Sequence, residues 1–439
     1  MALTPAREEQ GLAAQIALAL ALTAVGLFAG VWWAAGLLVL AALLDGLGWR
    51  GLARAGLVTG VLLTPLGPLL VVLGLPVTLG KVAVGLSLLL SIARGGLPLV
   101  WTPLSGPLLA VLVSMGLATL VGGWQEGLAP LSSAVLLVVF VHHLPVAVRR
   151  EQVYDLTRVI GAVLLLLLAV SIPQGLNALH VTARDVGWRF RSSGHTGSPN
   201  DWAMLLLLLV PVASWRWPGR WGPWAEGALL ALWPIALLQT MSRSGFLVGA
   251  LLGLWFAWRY RRRWRLLLLV VALVVVGAKL GVRMDGVEHR LHSLVHPDME
   301  TKLGHASLRQ RADLVRASWT LFQSSPWLGV GLGRFPDLAS ALIPWGVTLS
   351  SHNTWLKVAV EQGVAGLVAH GAALWALARL LLVRLRSLSG RERQTAAGIV
   401  AGLAATGLLW LTADRFDDVL SWLVLGLALA LSDHEKTEN

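Results

Sequence analysis

The sequence predicts an all-α polytopic membrane protein, a helical bundle with about 12–14 transmembrane helices and one large, partly helical outer loop. Of its 439 residues, 56% are hydrophobic and only 13% are charged, whereas soluble domains carry about 25% charged residues. Apolar runs recur from Gly11 to Leu431, and most approach the ~20 residues that a helix needs to cross a bilayer. A membrane β-barrel would show alternation, and Leu-rich runs such as 163–170 do not alternate.

The apolar runs divide the chain into about 14 predicted spans. In order they are 11–29, 31–45, 56–75, 77–93, 105–123, 129–146, 155–174, 201–215, 224–240, 244–259, 266–281, 364–383, 395–412 and 416–431. Pro65, Pro68 and Pro76 interrupt the apolar runs within the first 93 residues, and proline breaks or kinks a helix interior. A version with about 12 spans therefore stays open.

Arginine clusters set the predicted orientation, since cytoplasmic loops of membrane proteins carry an excess of Lys and Arg. The clusters comprise Arg50 and Arg54, Arg94, Arg149 and Arg150, Arg216 and Arg220, Arg259 to Arg265, and Arg384 to Arg393. With these in the cytoplasm, both termini are cytoplasmic, and the polar stretches 177–201 and 282–351 form outer loops. The predicted division is 1–281 for spans with the shorter loop, 282–351 for the large loop, and 352–439 for the last outer motif and C-terminal spans.

Composition also excludes several function classes. The net charge of +12 follows from the cytoplasmic clusters, so it does not indicate nucleic-acid binding. The chain has no cysteine, which rules out disulfides, thiol catalysis and Cys-ligated metals. No Walker A, GxSxG or dinucleotide-binding motif is present, and no Asp/Glu pair has the spacing of a metal site. Candidate functional residues must therefore be sought at the outer ends of the spans.

His352 and Asn353 are the first candidates, because they lie directly before an apolar span. A neutral imidazole with its ordinary pKa near ~6.5 can accept a proton from a hydroxyl group. Asn353 could orient that imidazole or bind a sugar hydroxyl. The alternative is a polar pair at the membrane interface that only caps the following helix.

Arginines in the outer connections are the second group of candidates. Arg243 lies in a very short link between two spans, and Arg189 and Arg191 lie beside a turn-rich Gly, Ser and Pro loop. Guanidinium groups suit bidentate binding of phosphate, although an interfacial Arg can also anchor to lipid phosphate. At the end of that loop, Asn200 binds substrate or N-caps the next span.

The large outer loop is predicted to contain a helix of its own, with Leu308, Val315, Trp319 and Phe322 near one face. Arg309 and Arg316 flank that face on one side and Arg311 on the other, as diphosphate ligands or a solvated surface. Three further expectations concern single residues. Arg334 follows a glycine-rich turn, Glu361 is a second base or a partner for Lys357 at i,i+4, and His142 and His143 have a buried structural role.

Four segments together resemble the O-antigen ligase family. His352-Asn353 is followed by nine residues and then by Gly363 and Gly366, as in the family's histidine motif. Residues 326–335 (PWLGVGLGRF) are similar to its glycine-rich segment, 241–245 (MSRSG) to its S-R-x-G turn, and 194–203, with SPND at 198–201, to its N-D-x-A loop. The segments occur in family order, and the large loop lies in the expected place.

The resemblance implies a GT-C-type membrane glycosyltransferase, inverting and without a metal or other cofactor. It would move a glycan from undecaprenyl diphosphate to a hydroxyl group of lipid A–core, at the periplasmic face of the bacterial inner membrane. In that reading His352, Arg191 and Arg243 are catalytic: His352 serves as general base or positioning group, and the arginines stabilise the leaving diphosphate. The expected substrate-binding residues are Arg189, Asn200, Arg311, Arg316, Arg334, Asn353 and Glu361.

Other functions stay open at this point. O-antigen or exopolysaccharide polymerases and protein O-oligosaccharyltransferases belong to the same wider group and differ in the acceptor. The arginines in both long outer loops are compatible with a polymerase, whereas the histidine motif favours the ligase. A transporter of an anionic lipid would need ionisable residues at mid-bilayer depth and paired broken helices. Lys81, His142 and His143 are the few ionisable candidates, and no paired halves are visible.

Overall fold

The computed structural model describes residues 14–21, 24, 70–72, 75–77, 79–93, 96–97, 99–148, 150–181, 198–214, 222–240, 242–261, 302–343, 351–414 and 418–431. The helices are α1 (Leu79–Ala93), α2 (Ser105–Gly122), α3 (Trp124–Ala147), α4 (Arg150–Val181), α5 (Pro199–Ala213), α6 (Gly222–Thr240), α7 (Arg243–Arg259), α8 (Lys302–Ser324), α9 (Phe335–Leu342), α10 (Thr354–Ser387), α11 (Gly390–Leu409) and α12 (Val419–Ala430). This is the all-α polytopic architecture that the sequence predicts.

The predicted spans from 77–93 to 244–259 and from 364–383 onward coincide with these helices to within a few residues, apart from an earlier start of α10 at Thr354. Four of the described helices are long and apolar enough to cross a membrane: Ser105–Gly122, Trp124–Ala147, Gln152–Pro173 and Thr354–Ser387. The predicted spans 31–45 and 266–281, and all of 11–29 except residues 14–21 and 24, lie outside the described residues.

The prediction of a helix over 56–75 was wrong at its end. Strand β1 (Leu70–Val72) pairs antiparallel with β2 (Leu75–Val77), so that Val71 lies opposite Pro76. Pro76 lacks the N–H that a helix interior requires, and the valines on both strands favour extended backbone. A short hairpin therefore precedes α1.

Helix α5 lies at the centre of the described bundle, and its contacts with α7 fix the relative direction of the two helices. Gly245 packs on Ala203, and one turn later Gly249 faces Leu207, so α5 and α7 run parallel. At their C-terminal ends, the Tyr260 hydroxyl donates a hydrogen bond to the Ser214 carbonyl at 2.8 Å. Every residue of α5 from Trp202 to Ala213 is buried, as expected of a helix that is apolar on all sides.

Helix α11 runs antiparallel to α5. Arg150 at the start of α4 forms an ion pair with Glu392 at the start of α11, whereas Gln239, near the end of α6, donates to the Ile172 carbonyl, late in α4. The starts of α4, α6 and α11 therefore lie at the same end of the bundle. We call the opposite end, where α5 and α7 begin and α11 stops, the site end of the bundle.

His142 and His143 have the buried structural role that the sequence predicts. His142 Nε2 lies 2.8 Å from Ser105 Oγ, and its Nδ1 lies 2.7 Å from the Val138 carbonyl. His143 Nε2 lies 2.9 Å from Ser91 Oγ. These contacts join α3 to the start of α2 and to α1.

The loop helix α8 buries a different face from the one predicted. Leu314, Ala317 and Leu321 are buried against α9 and Val360 of α10, whereas Val315 and Trp319 are exposed. Both stripes satisfy helical periodicity. The neighbouring helices determine which stripe is buried, and the spacing of residues in the sequence does not reveal those contacts.

The contact between α5 and α11 predicts a sharp difference between two glycines of α11. A Cβ on Gly402 would collide with the Leu208 carbonyl, whereas a Cβ on Gly407 would meet nothing within 4 Å. Gly402→Ala should lower the free energy of unfolding by about 1–3 kcal/mol, and Gly407→Ala should stay within about 1 kcal/mol of wild type. Thermal unfolding of both variants in detergent tests this, and equal stabilities would contradict the packing.

Candidate active site at one end of the bundle

Asn353 is the N-cap of α10, so part of the capping alternative is correct. Its Oδ1 accepts hydrogen bonds from the backbone N–H groups of Trp355 at 2.9 Å and Leu356 at 3.1 Å. Two donors at the helix start are thereby satisfied by one side chain. The amide oxygen of Asn353 is thus committed to the cap.

His352 lies immediately before this cap and is exposed. Its φ is +50°, in the left-handed region, and no other non-glycine residue in the described part of the chain has a positive φ. A side chain pays a steric cost there, although His, Asn and Asp tolerate the region better than most residues. Strained backbone of this kind concentrates at functional sites.

A turn after α11 holds the start of α10 in place. The Thr354 N–H donates to the carbonyls of Trp410 and Ala413 at 2.9 and 3.1 Å, and the Thr354 hydroxyl donates to Ala413 at 2.7 Å. Lys357 forms an ion pair with Asp414 at 3.2 Å. Sequence reasoning missed this turn, since the 57 residues from 353 to 409, which form a full helical hairpin, separate it from His352.

The glycine-rich segment 326–335 lies against the middle of α10 through backbone hydrogen bonds. Val330 N–H donates to the Val360 carbonyl at 2.8 Å and Gly331 N–H to the Glu361 carbonyl at 3.2 Å. In the other direction, Val364 N–H donates to the Pro326 carbonyl at 2.8 Å and Ala365 N–H to that of Trp327 at 3.1 Å. Two of the resembling segments therefore form one paired structure.

This pairing depends on a break in α10 at Gly363, where φ is 64° and ψ is −158°. The break exposes carbonyl and N–H groups of residues 360–365 to the incoming loop. A Cβ on Gly363 would collide with the Trp327 carbonyl group, and one on Gly329 with the backbone of Glu361. Glycine at both positions follows from this close approach and from positive φ.

Glu361 is buried against the glycine-rich segment, and its role as a substrate contact or base stays a prediction. Only 1% of the residue is exposed, and its Oε1 accepts a hydrogen bond from the Phe335 N–H at 3.2 Å. Its predicted partner Lys357 pairs with Asp414 instead. Glu361 is a positioning residue that fixes the end of the glycine-rich segment where α9 begins.

Arg334 ties the same segment to α2. Its Nη1 donates to the Gly122 carbonyl at 3.0 Å, and Leu332 N–H donates to the Ala118 carbonyl at 3.2 Å. A cation at a helix C-terminus is favourable because the helix dipole is negative there. One edge of the guanidinium is thus committed to the fold, and Arg334 is half-buried.

The remaining two segments also meet. Gly245, in the S-R-x-G turn, packs on Ala203 of α5. Ser242 caps α7 by accepting from the Gly245 N–H at 3.3 Å, which places half-buried Arg243 in the first turn of that helix. Helix α5 starts at Pro199 with Ser198 as N-cap. The alternative in which Asn200 N-caps this span was therefore wrong, because proline at N1 places the start two residues earlier.

The other predicted site residues lie either outside the described residues or on α8. Arg189 and Arg191 lie outside the described residues. On α8, Arg316 is largely exposed and pairs with Asp313 at 3.0 Å, and Arg311 is half-exposed. The side chain of Arg309 also lies outside the described residues.

All four segments lie at the site end of the bundle. Gly402 of α11 contacts Leu208 of α5. Because the two helices are antiparallel, the end of α11, two turns after Gly402, lies level with Asn200, two turns before Leu208. That end carries the Trp410 carbonyl, which binds Thr354. Below it, an apolar cavity of about 80 Å³ lies between α2, α10, α11 and α12, with Thr354, Trp355, Trp410 and Trp422 in its lining.

Residues 227–371 match the model of the family described as O-Antigen ligase. This match supports an assignment of this part of the chain to the O-antigen ligase family. This match covers the S-R-x-G turn, the glycine-rich segment and the histidine motif, and it ends before α11 and α12. The family implies a membrane enzyme of the glycosyltransferase type. A search of curated proteins finds no match to the chain.

Because Glu361 accepts a hydrogen bond from Phe335 N–H, we expect that residue 361 must supply a carbonyl oxygen and need not be negatively charged. Glu361→Gln keeps an acceptor for Phe335 N–H and should retain most transfer activity and thermal stability. Glu361→Ala leaves that buried N–H unpaired, which should cost about 1–3 kcal/mol. Thermal unfolding and turnover of both variants measure this, and a Gln variant as impaired as Ala would contradict the positioning role.

Proposed function

We propose that the protein is an O-antigen ligase that transfers a glycan from undecaprenyl diphosphate to a hydroxyl group of lipid A–core. The observation that carries the proposal is the convergence of four segments on one end of the bundle, with strained, exposed His352 beside them. Three of these segments fall within the O-antigen ligase match. A bundle built only for structure would have no need of this arrangement.

His352 serves as the general base in this reaction. The acceptor oxygen attacks C1 of the carrier-linked sugar, its proton passes to the imidazole, and the bond from C1 to the diphosphate oxygen breaks. Direct displacement inverts the anomeric centre. A neutral imidazole can accept this proton as a general base.

Arginines and Lys357 supply positive charge for the departing diphosphate. Arg243 begins α7 at the site end, and Lys357 lies one turn into α10, held by Asp414. The N-terminal ends of α5, α7 and α10 all face this region, and helix N-termini favour anions. Arg189 and Arg191, which lie outside the described residues, are proposed to bind the same diphosphate.

The apolar cavity under Thr354 and Trp410 suits a short segment of the polyprenyl chain. Its lining is mostly aliphatic and aromatic, and it includes Thr354 and Trp355, which follow His352 in the chain. An apolar chain placed there has its diphosphate at the helix starts. The proposed location is the bacterial inner membrane, with the site end periplasmic and both chain termini cytoplasmic, as the arginine clusters require.

The proposal predicts a selective effect of His352→Asn. Asparagine also tolerates positive φ, so the fold should persist, but its amide cannot accept a proton and transfer should fall about 10²–10⁴-fold. Thermal unfolding of the variant in detergent is the control, because an unchanged midpoint shows that the loss of transfer does not come from a loss of the fold. The assay supplies purified enzyme with undecaprenyl diphosphate-linked glycan, with and without lipid A–core.

The outcomes separate the candidate functions. Transfer that needs both lipid A–core and His352 supports the ligase. Glycan lengthening without lipid A–core identifies a polymerase, and glycan transfer to a protein hydroxyl identifies an oligosaccharyltransferase. Movement of the carrier lipid without any turnover would overturn the proposal in favour of a transporter.

Arg243 and chelation together test how the leaving group is stabilised. Arg243→Ala should lower transfer by about 10²-fold or more and Arg243→Lys by less, because lysine keeps the charge but not the bidentate geometry. EDTA should leave wild-type transfer unchanged, since arginines take the place of a metal cation in this account. Transfer that EDTA abolishes and Mg²⁺ or Mn²⁺ restores would contradict it.

A further inference from the structure

Helix α8 has a second apolar stripe that the fold leaves uncovered. Ala312, Val315 and Trp319 are spaced i, i+3 and i+7 and therefore share one face of the helix. All three are exposed, Val315 by 49% and Trp319 by 60%. The buried stripe of Leu314, Ala317 and Leu321 is a separate face that already packs on α9 and α10. Among the described residues, the exposed stripe meets this buried cluster only at its edge, where the Trp319 ring contacts Phe322.

Basic residues border this stripe on both sides. On a helical projection, Arg311 lies on one side of Val315 and Arg316 on the other. Over its 23 residues α8 carries four basic residues, Lys302, Arg309, Arg311 and Arg316, against a single acidic one, Asp313. An apolar stripe with Trp and flanking cations is the pattern of a helix that lies in a membrane interface, where Trp is also enriched.

The position of α8 in the fold fits a membrane surface. Its buried face packs on Val360, two turns from the start of α10, and α10 is one of the helices long enough to cross a bilayer. The glycine-rich segment that follows α8 reaches the C-terminal carbonyls of α2, another candidate span. Helix α8 is therefore anchored at the level where two spans leave the apolar core.

We propose that α8 lies on the outer surface of the protein's own bilayer, with Ala312, Val315 and Trp319 inserted among the lipids and its arginines at anionic headgroups. This surface is distinct from the transfer site and does not depend on the proposed reaction. Lipid contact at this surface would also affect the position of the glycine-rich segment. Because the glycine-rich segment continues directly from α8, lipid contact along the stripe sets the depth of the loop that braces α10.

The absence of cysteine from the chain makes a direct test possible. Single variants Ala312→Cys, Val315→Cys and Trp319→Cys carry an environment-sensitive fluorophore in full-length protein, reconstituted in phosphatidylcholine vesicles with a minority of phosphatidylglycerol. Thr320→Cys is the matched control, since it is exposed on the same helix and lies away from the stripe. Lipids with a quencher high in the acyl chain report insertion, and aqueous iodide reports exposure to water.

Quenching by lipid should be roughly twofold or more stronger at 312, 315 and 319 than at 320, because an interfacial helix buries its apolar face and keeps its polar face in water. Omission of phosphatidylglycerol should weaken that difference. Equal quenching at all four positions would overturn the proposal. Protection from both quenchers at the stripe would also overturn it, by showing that protein or glycan covers the stripe. Neither readout needs turnover, so failure here is distinct from failure of the proposed reaction.

Discussion

The pairing of the glycine-rich segment with the broken middle of α10 is the constraint on which the candidate site depends. Backbone groups of residues 360–365 are left without helical partners at Gly363, and the segment 326–335 supplies them. Side chains at Gly329 or Gly363 would separate the two backbones. Buried Glu361 fixes the far end of the contact through Phe335 N–H. The first turns of α10, and hence His352, are held between this brace and the turn at 410–414.

Much of the fold was predictable because bilayer-crossing helices carry a strong local signal. Runs such as 201–215 and 244–259 are apolar apart from their ends, and their helices lie close to the predicted positions. Failures occurred where local signals compete. Around Pro76 a proline-rich apolar run forms a hairpin, and on α8 two apolar stripes have the same period, so only the partner helices decide which one is buried.

The candidate site was predictable as a set of segments but less so as a set of roles. Sequence placed His352 and Arg243 at helix starts, and both lie there. It treated Glu361 as a base or Lys357 partner because spacing cannot reveal that Asp414, 57 residues beyond Lys357, takes the lysine. Thr354 and Trp410 were missed for the same reason. Family resemblance names the residues that recur, whereas tertiary contacts determine which of them face a ligand and which hold the loop.

The central claim is that the two contacting pairs of segments form a single substrate site. A photoreactive polyprenyl diphosphate with its diazirine beside the diphosphate tests this most directly, with adducts located by mass spectrometry. The account predicts adducts both at the start of α7, within 242–245, and at the start of α10, within 351–357, and both should disappear when excess unmodified carrier competes. Adducts confined to one of these segments, or spread along lipid-facing helix sides without competition, would contradict it.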